Sequence, residues 1–231
     1  MPVRKKSINQ TKKNAVKPAH SLGYGKNKEL YWILSVMAIL LIVLLFASSI
    51  FKSFNTFKYH GLVFTKERFG QIPVFHHYYY FTEPLSNQQY RYNLYLRIDP
   101  RQNNVSIDND LAFPYGQTVY FTINGSGLTS CSMASRDIGQ LSAFLANNLI
   151  PIKAATPDKE EAKNNSLRYK DCDSSGDIVI KIQAGNETKI TQDGNCHLIS
   201  VANCETTEAI EKFEIKAVLD ARARAKSGVK T

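Results

Sequence analysis

Residues 118–131 read TVYFTINGSGLTSC and residues 197–204 read HLISVANC; each is a strand pattern, then a cysteine, then at once a helix pattern. After the first run Ile138, Leu141, Phe144, Leu145 and Leu149 recur at spacings of three and four, which predicts a helix from about Ser132 to Leu149. After the second, Ile210, Phe213, Ala217, Val218 and Ala221 share one helical face, predicting a terminal helix capped by Asn203 and running to about Ala225. Between them Thr156, Pro157 and Asp158 form a helix start, with Pro where its missing N–H costs nothing, and this short helix ends near Asn164 or Asn165. DIVIKIQ (177–183) then reads as a strand, followed by turns at Gly185 with Asn186 and at Asp193 with Gly194.

Upstream the pattern changes to β alone. In YRYNLYLRI (90–98) Tyr90, Tyr92, Leu94, Leu96 and Ile98 alternate with Arg91, Asn93, Tyr95 and Arg97, placing an apolar row on one face of a strand. IPVFHHYYYF (72–81) precedes it across the turn formers PLSNQQ, so the two make a hairpin. GLVFTKERF (61–69) and GQTVYFTI (116–123) are expected to complete an antiparallel meander of about four strands. The expected fold class is α+β: an N-terminal transmembrane helix, then one extracytoplasmic domain (61–226) with a β meander and a C-terminal β/α half.

The transmembrane expectation rests on residues 30–51, LYWILSVMAILLIVLLFASSIF, 22 residues without a charge between Glu29 and Lys52. A helix of that length rises about 33 Å, enough for a hydrocarbon core of about 30 Å. Tyr31 and Trp32 suit a headgroup belt, and Lys52 can snorkel. The formal net charge is +9, yet residues 1–29 hold eight bases against one acid while the remaining residues hold 21 against 19. A basic head beside a span stays in the cytoplasm, so the N-terminus is expected inside and the domain outside. The apolar run exceeds the 7 to 15 residues of a cleaved signal, so it is read as an uncleaved signal anchor. Residues 1–29 read as a basic disordered tail, 52–60 as a juxtamembrane linker and 227–231 as a disordered tail. With the charge confined to the head, nucleic acid is not an expected partner; the lipid bilayer, through residues 30–51, is.

Cys131, Cys172, Cys196 and Cys204 all follow the apolar run, and an even number in an oxidising compartment predicts two disulfides, with three possible connectivities. An extended segment would hold Cys196 and Cys204 about 23 to 27 Å apart, beyond disulfide reach. If the strands at 118–123 and 197–201 lie side by side and parallel, Cys131 and Cys204 share one sheet edge. That favours Cys131 with Cys204 and Cys172 with Cys196, the other connectivity staying open. Sequons at Asn104, Asn124, Asn164 and Asn186 are glycosylation candidates, of which composition alone supplies about two. Another at Asn9 lies on the expected inner side.

No catalytic, cofactor or metal set is expected. A cysteine at a helix start can be reactive, which makes thiol-dependent redox through Cys131 and Cys204 the alternative to a structural role, but C-x-x-C is absent from the sequence. Cys172, Cys196, His197 and Cys204 lack the pairwise spacing of zinc ligands. Adjacent His76 and His77 point to opposite faces of a strand. INGSGLTS lacks the ending of a phosphate loop and reads as a turn. Tyr59, Tyr78, Tyr79, Tyr80, Tyr90, Tyr92 and Tyr95 suit either a sheet core or a surface for glycan or protein. Arg222, Arg224, Lys226 and Lys230 complement the dipole of the last helix.

The segments GQTVYFTINGSGLTSC, ATPDKEEA, IQAGNETKI and GNCHLISVANCE resemble parts of the uncharacterised single-pass membrane proteins of small-genome archaea, over roughly residues 60–225. The resemblance implies an anchored, outward-facing domain in an archaeal envelope with N-glycosylation, and it carries no activity. The expected function is non-catalytic binding or assembly at the cell surface, with an envelope protein or a glycan as partner.

Overall fold

The computed structural model describes residues 27–174 and 176–227, and the chain divides into two units between Phe51 and Lys52. The expected tails lie outside the described residues, except that 27–29 and 227 are helical. Helix α1 (Asn27–Asn55) extends beyond the apolar run at both ends, and its stretch Lys28–Phe46 is long and apolar enough to cross a membrane. Leu, Ile, Val and Met side chains in that stretch are exposed, and an apolar helix satisfies its own backbone whatever surrounds it.

The second unit is α+β, built on two sheets. The first is an antiparallel meander, β1 (Thr56–Tyr59), β2 (Leu62–Phe69), β3 (Ile72–Thr82) and β4 (Gln89–Leu96), paired in that order. His60 and Gly61, with φ of 47° and 81°, make the two-residue turn that sends β1 into β2. The segment expected as a linker, 52–60, is therefore the end of α1 followed by an edge strand.

The second sheet runs β5 (Ser106–Ile107), β10 (Lys189–Asp193), β11 (Cys196–Val201), β9 (Ile178–Ala184), β6 (Val119–Asn124), β7 (Ile152–Thr156), β8 (Arg168–Tyr169). All its pairings are parallel except β10 with β11. GQTVYFTI is thus not the fourth strand of the meander. Val119 to Thr122 are buried on both faces, the condition of a central strand in a covered parallel sheet, and β6 sits between β9 and β7. β6 and β11 are parallel, as the recurrence suggested, but they flank β9 rather than each other.

Three helices complete the unit: α2 (Ala134–Asn147), α3 (Lys159–Asn164) and α4 (Thr206–Ser227). The cap of α3 is Asp158, whose carboxylate accepts the N–H groups of Glu160 and Glu161, while Thr156 ends β7. Asn203 does not cap α4. It takes left-handed φ of 51°, followed by Cys204 at 58°, and the helix begins at Thr206. Helices α2 and α4 are enclosed between the sheets: Phe144 of α2 meets Tyr92 of β4, and Phe213 of α4 meets His197 of β11. One core joins Phe64, Leu94 and Leu96 of the meander to Leu141, Phe144 and Phe213 of the helices and Ile180, Ile182 and Ile199 of the second sheet. Arg222 and Arg224 close the layers by donating to the carbonyls of Gly61 and Leu111, both at 2.8 Å.

Candidate binding face

Strand alternation sorts the meander into two faces. Inward go Phe64, Phe75, His77, Tyr79, Tyr92, Leu94 and Leu96. Outward go Phe69, His76, Tyr78, Tyr80, Arg91, Asn93 and Tyr95, of which Phe69 is 57% exposed, Tyr80 55% and Tyr95 41%. Their rings form a chain: Phe69 meets Tyr95 edge-on at 5.5 Å, His76 stacks on Tyr95 at 4.5 Å, and Tyr78 meets Tyr80 at 6.0 Å. The Arg91 guanidinium lies 4.5 Å over the Tyr78 ring. His76 spans the strands, with Nδ1 2.8 Å from a Glu67 oxygen and Nε2 3.1 Å from the Asn93 side-chain oxygen. The result is an exposed aromatic surface held in place by polar groups, a composition suited to contact with another surface or a sugar ring.

The seven tyrosines marked by sequence therefore divide. Tyr78, Tyr80 and Tyr95 are exposed, whereas the Tyr79 hydroxyl donates to Asn148 at 2.6 Å and Tyr92 packs on Phe144, burial pushing Tyr92 up to about 12. Tyr59 and Tyr90 are half-buried. His77 faces inward, opposite to His76; its Nδ1–H donates to the Val63 carbonyl at 2.8 Å, and burial lowers its pKa. Glu67, Asn93 and Arg91 were not singled out by sequence. Their signal was the alternation itself, which puts them on the same side as Tyr78 and Tyr95.

The four cysteines form two bridges, Cys131–Cys204 and Cys172–Cys196, with Cα separations of 5.3 and 5.1 Å. They sit at opposite ends of β11, which starts at Cys196 and ends three residues before Cys204. Between β6 and Cys131 the loop passes so close to the end of β9 that a Cβ on Gly127, φ 83°, would lie 2.8 Å from Ala184 Cβ. The loop spends its amides on itself: Ser126 N–H on the Asn124 side chain, Leu128 and Thr129 on the Gly125 carbonyl, Cys131 on that of Leu128. It is a turn and not a phosphate cradle. Asn104, Asn124, Asn164 and Asn186 are all exposed, and Asn9 lies outside the described residues.

A buried carboxylate cluster joins α2 to α4. Asp137 accepts from Thr206 at 2.9 Å and Thr207 at 2.7 Å and is paired with Arg136. Glu211 accepts the N–H of Arg97 at 2.7 Å on one oxygen and that of Ile98 at 3.0 Å on the other. Glu214 takes Gln140 Nε2 at 2.9 Å on one oxygen, and its other oxygen is buried without a hydrogen-bond partner. Burial pushes Glu211 and Glu214 each up to about 8, with the mutual repulsion of the acids adding. Glu211, with both oxygens on backbone donors, is the member better able to hold charge. Glu214 is the better site for a proton. Both acids fall at core spacing on α4, a pattern that sequence alone reads as solvated.

Among the described residues no three His, Cys, Asp or Glu side chains converge as a metal site. His197 turns away from Cys196 into the rings of Phe113 and Phe213, and burial lowers it to about 4. A cavity of about 360 Å³ beside the Cys172–Cys196 bridge is lined by Ser174, Asp177, Asp193 and Asn195, with Asp177 tied to Lys170. Comparison with protein-family models, with curated proteins and with solved structures finds no match to this chain.

Proposed function

We propose that this chain is a single-pass, signal-anchored membrane protein with its N-terminus in the cytoplasm and its α+β domain outside, serving a non-catalytic binding or assembly role at the cell surface. The observation that carries this reading is the distribution of cysteine: every one follows the apolar helix, and all four are closed into bridges. The basic head before α1 supports the orientation, and the aromatic face of the meander supports binding. An archaeal envelope is the proposed setting, in line with the resemblance stated above, and the exposed Asn104, Asn124, Asn164 and Asn186 are its proposed glycan acceptors.

The test is thiol trapping on protein taken directly from native membranes, with trapped groups counted by mass before and after reduction. The expected result is no reactive thiol before and four after. Two or four free thiols in the native sample would overturn either the outside orientation or the structural role of the bridges, returning redox chemistry at Cys131 and Cys204 to consideration.

A further inference from the structure

We propose that folding sorts the four sequons and leaves Asn124 as the principal glycan acceptor of the finished domain. The inference rests on the reading of the domain as outward-facing and glycosylated, and narrows its acceptors from four to one.

Exposure does not separate the four asparagines, because all are exposed. A glycosyl transferase reads the asparagine amide together with the hydroxyl two residues on, and it needs both at once in a surface loop. What each segment must give up to present that pair decides between them.

Three segments have something to give up. Before Asn104 the chain is fixed to α4, where Asn103 Nδ2 donates to the Glu208 carbonyl at 2.8 Å and Lys212 Nζ donates to the Asn103 carbonyl at 3.1 Å. After it, Val105 packs on the core and Ser106 lies in β5 against Lys189 of β10. Asn164 is the last residue of α3, and the N–H groups of Asn165 and Leu167 bond back to the carbonyls of Glu161 and Ala162 at 2.9 and 3.0 Å. Presenting it unwinds the helix end. In the Asn186 sequon the hydroxyl is already spent: Thr188 Oγ1 donates to the Ala202 carbonyl at 3.2 Å and accepts the Ala202 N–H at 2.9 Å.

Asn124, Gly125 and Ser126 have no such ties to break. β6 ends at Asn124, and Asn124 Oδ1 accepts the Ser126 N–H at 3.2 Å. That side-chain turn bends the chain and holds Ser126 against the acceptor amide. Ser126 is exposed, and its hydroxyl has no hydrogen-bond partner among the described residues. The surface around the middle residue is open, since a Cβ on Gly125 would meet nothing outside its chain neighbours nearer than 4.0 Å. Behind the turn, Leu128 and Thr129 donate to the Gly125 carbonyl at 3.0 and 3.3 Å, and Leu128 is buried, so the turn stands on a fixed base.

The donor is a lipid-linked saccharide whose anomeric carbon is bonded to phosphate. Asn124 Nδ2 forms a bond to that carbon as the bond from carbon to the phosphate oxygen breaks. The lipid phosphate leaves with the electron pair, and the amide releases one proton to solvent.

The test takes the full chain from native membranes and reads the occupancy of each sequon by mass spectrometry of its glycopeptides. Asn124 is expected to be occupied, and each of the other three about tenfold less, because two hydrogen bonds must open first in each. Ser126→Ala is expected to empty the site and Ser126→Thr to keep it filled, both with the thermal midpoint of the parent. Synthesis in the presence of a thiol reductant holds the bridges open and delays folding, and is expected to raise occupancy at Asn104, Asn164 and Asn186. Equal occupancy at all four, an empty Asn124 beside a filled neighbour, or a pattern that the reductant leaves unchanged each overturn the proposal. Protease accessibility in the same membranes reads orientation separately. A domain found outside without glycan overturns this inference and leaves the anchor reading standing, while a domain found inside overturns both.

Discussion

The Glu211 carboxylate of α4 accepts the backbone N–H of Arg97 at 2.7 Å, tying the last helix to the end of β4 across 114 residues of chain. Its second oxygen takes the N–H of Ile98, so two amides leaving the sheet are satisfied by one buried side chain. Glu211→Gln puts an NH₂ group against one of those donors and is expected to destabilise the domain by about 1–3 kcal/mol. Glu214→Gln keeps the contact to Gln140 and removes a buried acid with an unpartnered oxygen, so it is expected within about 1 kcal/mol of the parent at pH 7. Urea unfolding of both variants checks the contrast. Equal losses would deny Glu211 its special place.

The same acids give stability a pH dependence. Glu211 and Glu214 rise from an ordinary 4.5 to about 8 on folding, so the folded domain holds protons that the unfolded chain has released. Their contribution is complete below pH 4.5 and is lost as pH rises through 8. His197, lowered by burial from 6.5 to about 4, acts oppositely: its contribution is complete above pH 6.5 and is lost as pH falls through 4. Because two acids outweigh one histidine, stability is expected to be highest near pH 4 to 4.5, to decline already between pH 4.5 and 6.5, and to be lower by several kcal/mol at pH 9. Thermal midpoints across that range measure it, and Glu214→Gln should flatten the alkaline side.

Periodicity made the apolar helix, the meander hairpin and the helices α2 and α4 legible, because each repeats one spacing over many residues. The opposite facing of His76 and His77 followed from the same alternation. Strand β6 was misplaced because Val119, Tyr120 and Phe121 put apolar or aromatic side chains on both faces, and such a run states that a strand is buried without stating in which sheet. β1 was missed because TFKY is four residues beside an apolar helix, too short to show a period. Glu211 and Glu214 were passed over because a carboxylate at core spacing is read as solvated until its backbone partners are seen.

The two bridges should differ in worth. Cys131–Cys204 closes 73 residues and Cys172–Cys196 closes 24, so loop entropy assigns about 4 kcal/mol to the first and about 3 to the second. Replacing Cys131 and Cys204 together by Ala is expected to lower the thermal midpoint more than replacing Cys172 and Cys196. Calorimetry on the two double variants decides it, and the reverse order would show that loop length is not what sets their contribution.

Gly127 is where the first strand–cysteine run depends on backbone alone. Its φ of 83° is open to glycine at no steric cost, and its Cα faces Ala184 so closely that an added Cβ would sit 2.8 Å from the Ala184 methyl carbon. Neither strain can be relieved cheaply, because Ala184 ends the β9 ladder against β11 and the loop is tethered four residues later at Cys131. Gly127→Ala is therefore expected to cost about 2 kcal/mol or more. Gly176, also at positive φ but with open space where a Cβ would lie, has only the conformational penalty, and Gly176→Ala should cost about 1 kcal/mol. The pair separates contact from conformation: if chemical denaturation finds the two variants equally stable, the close approach of the loop to β9 contributes nothing.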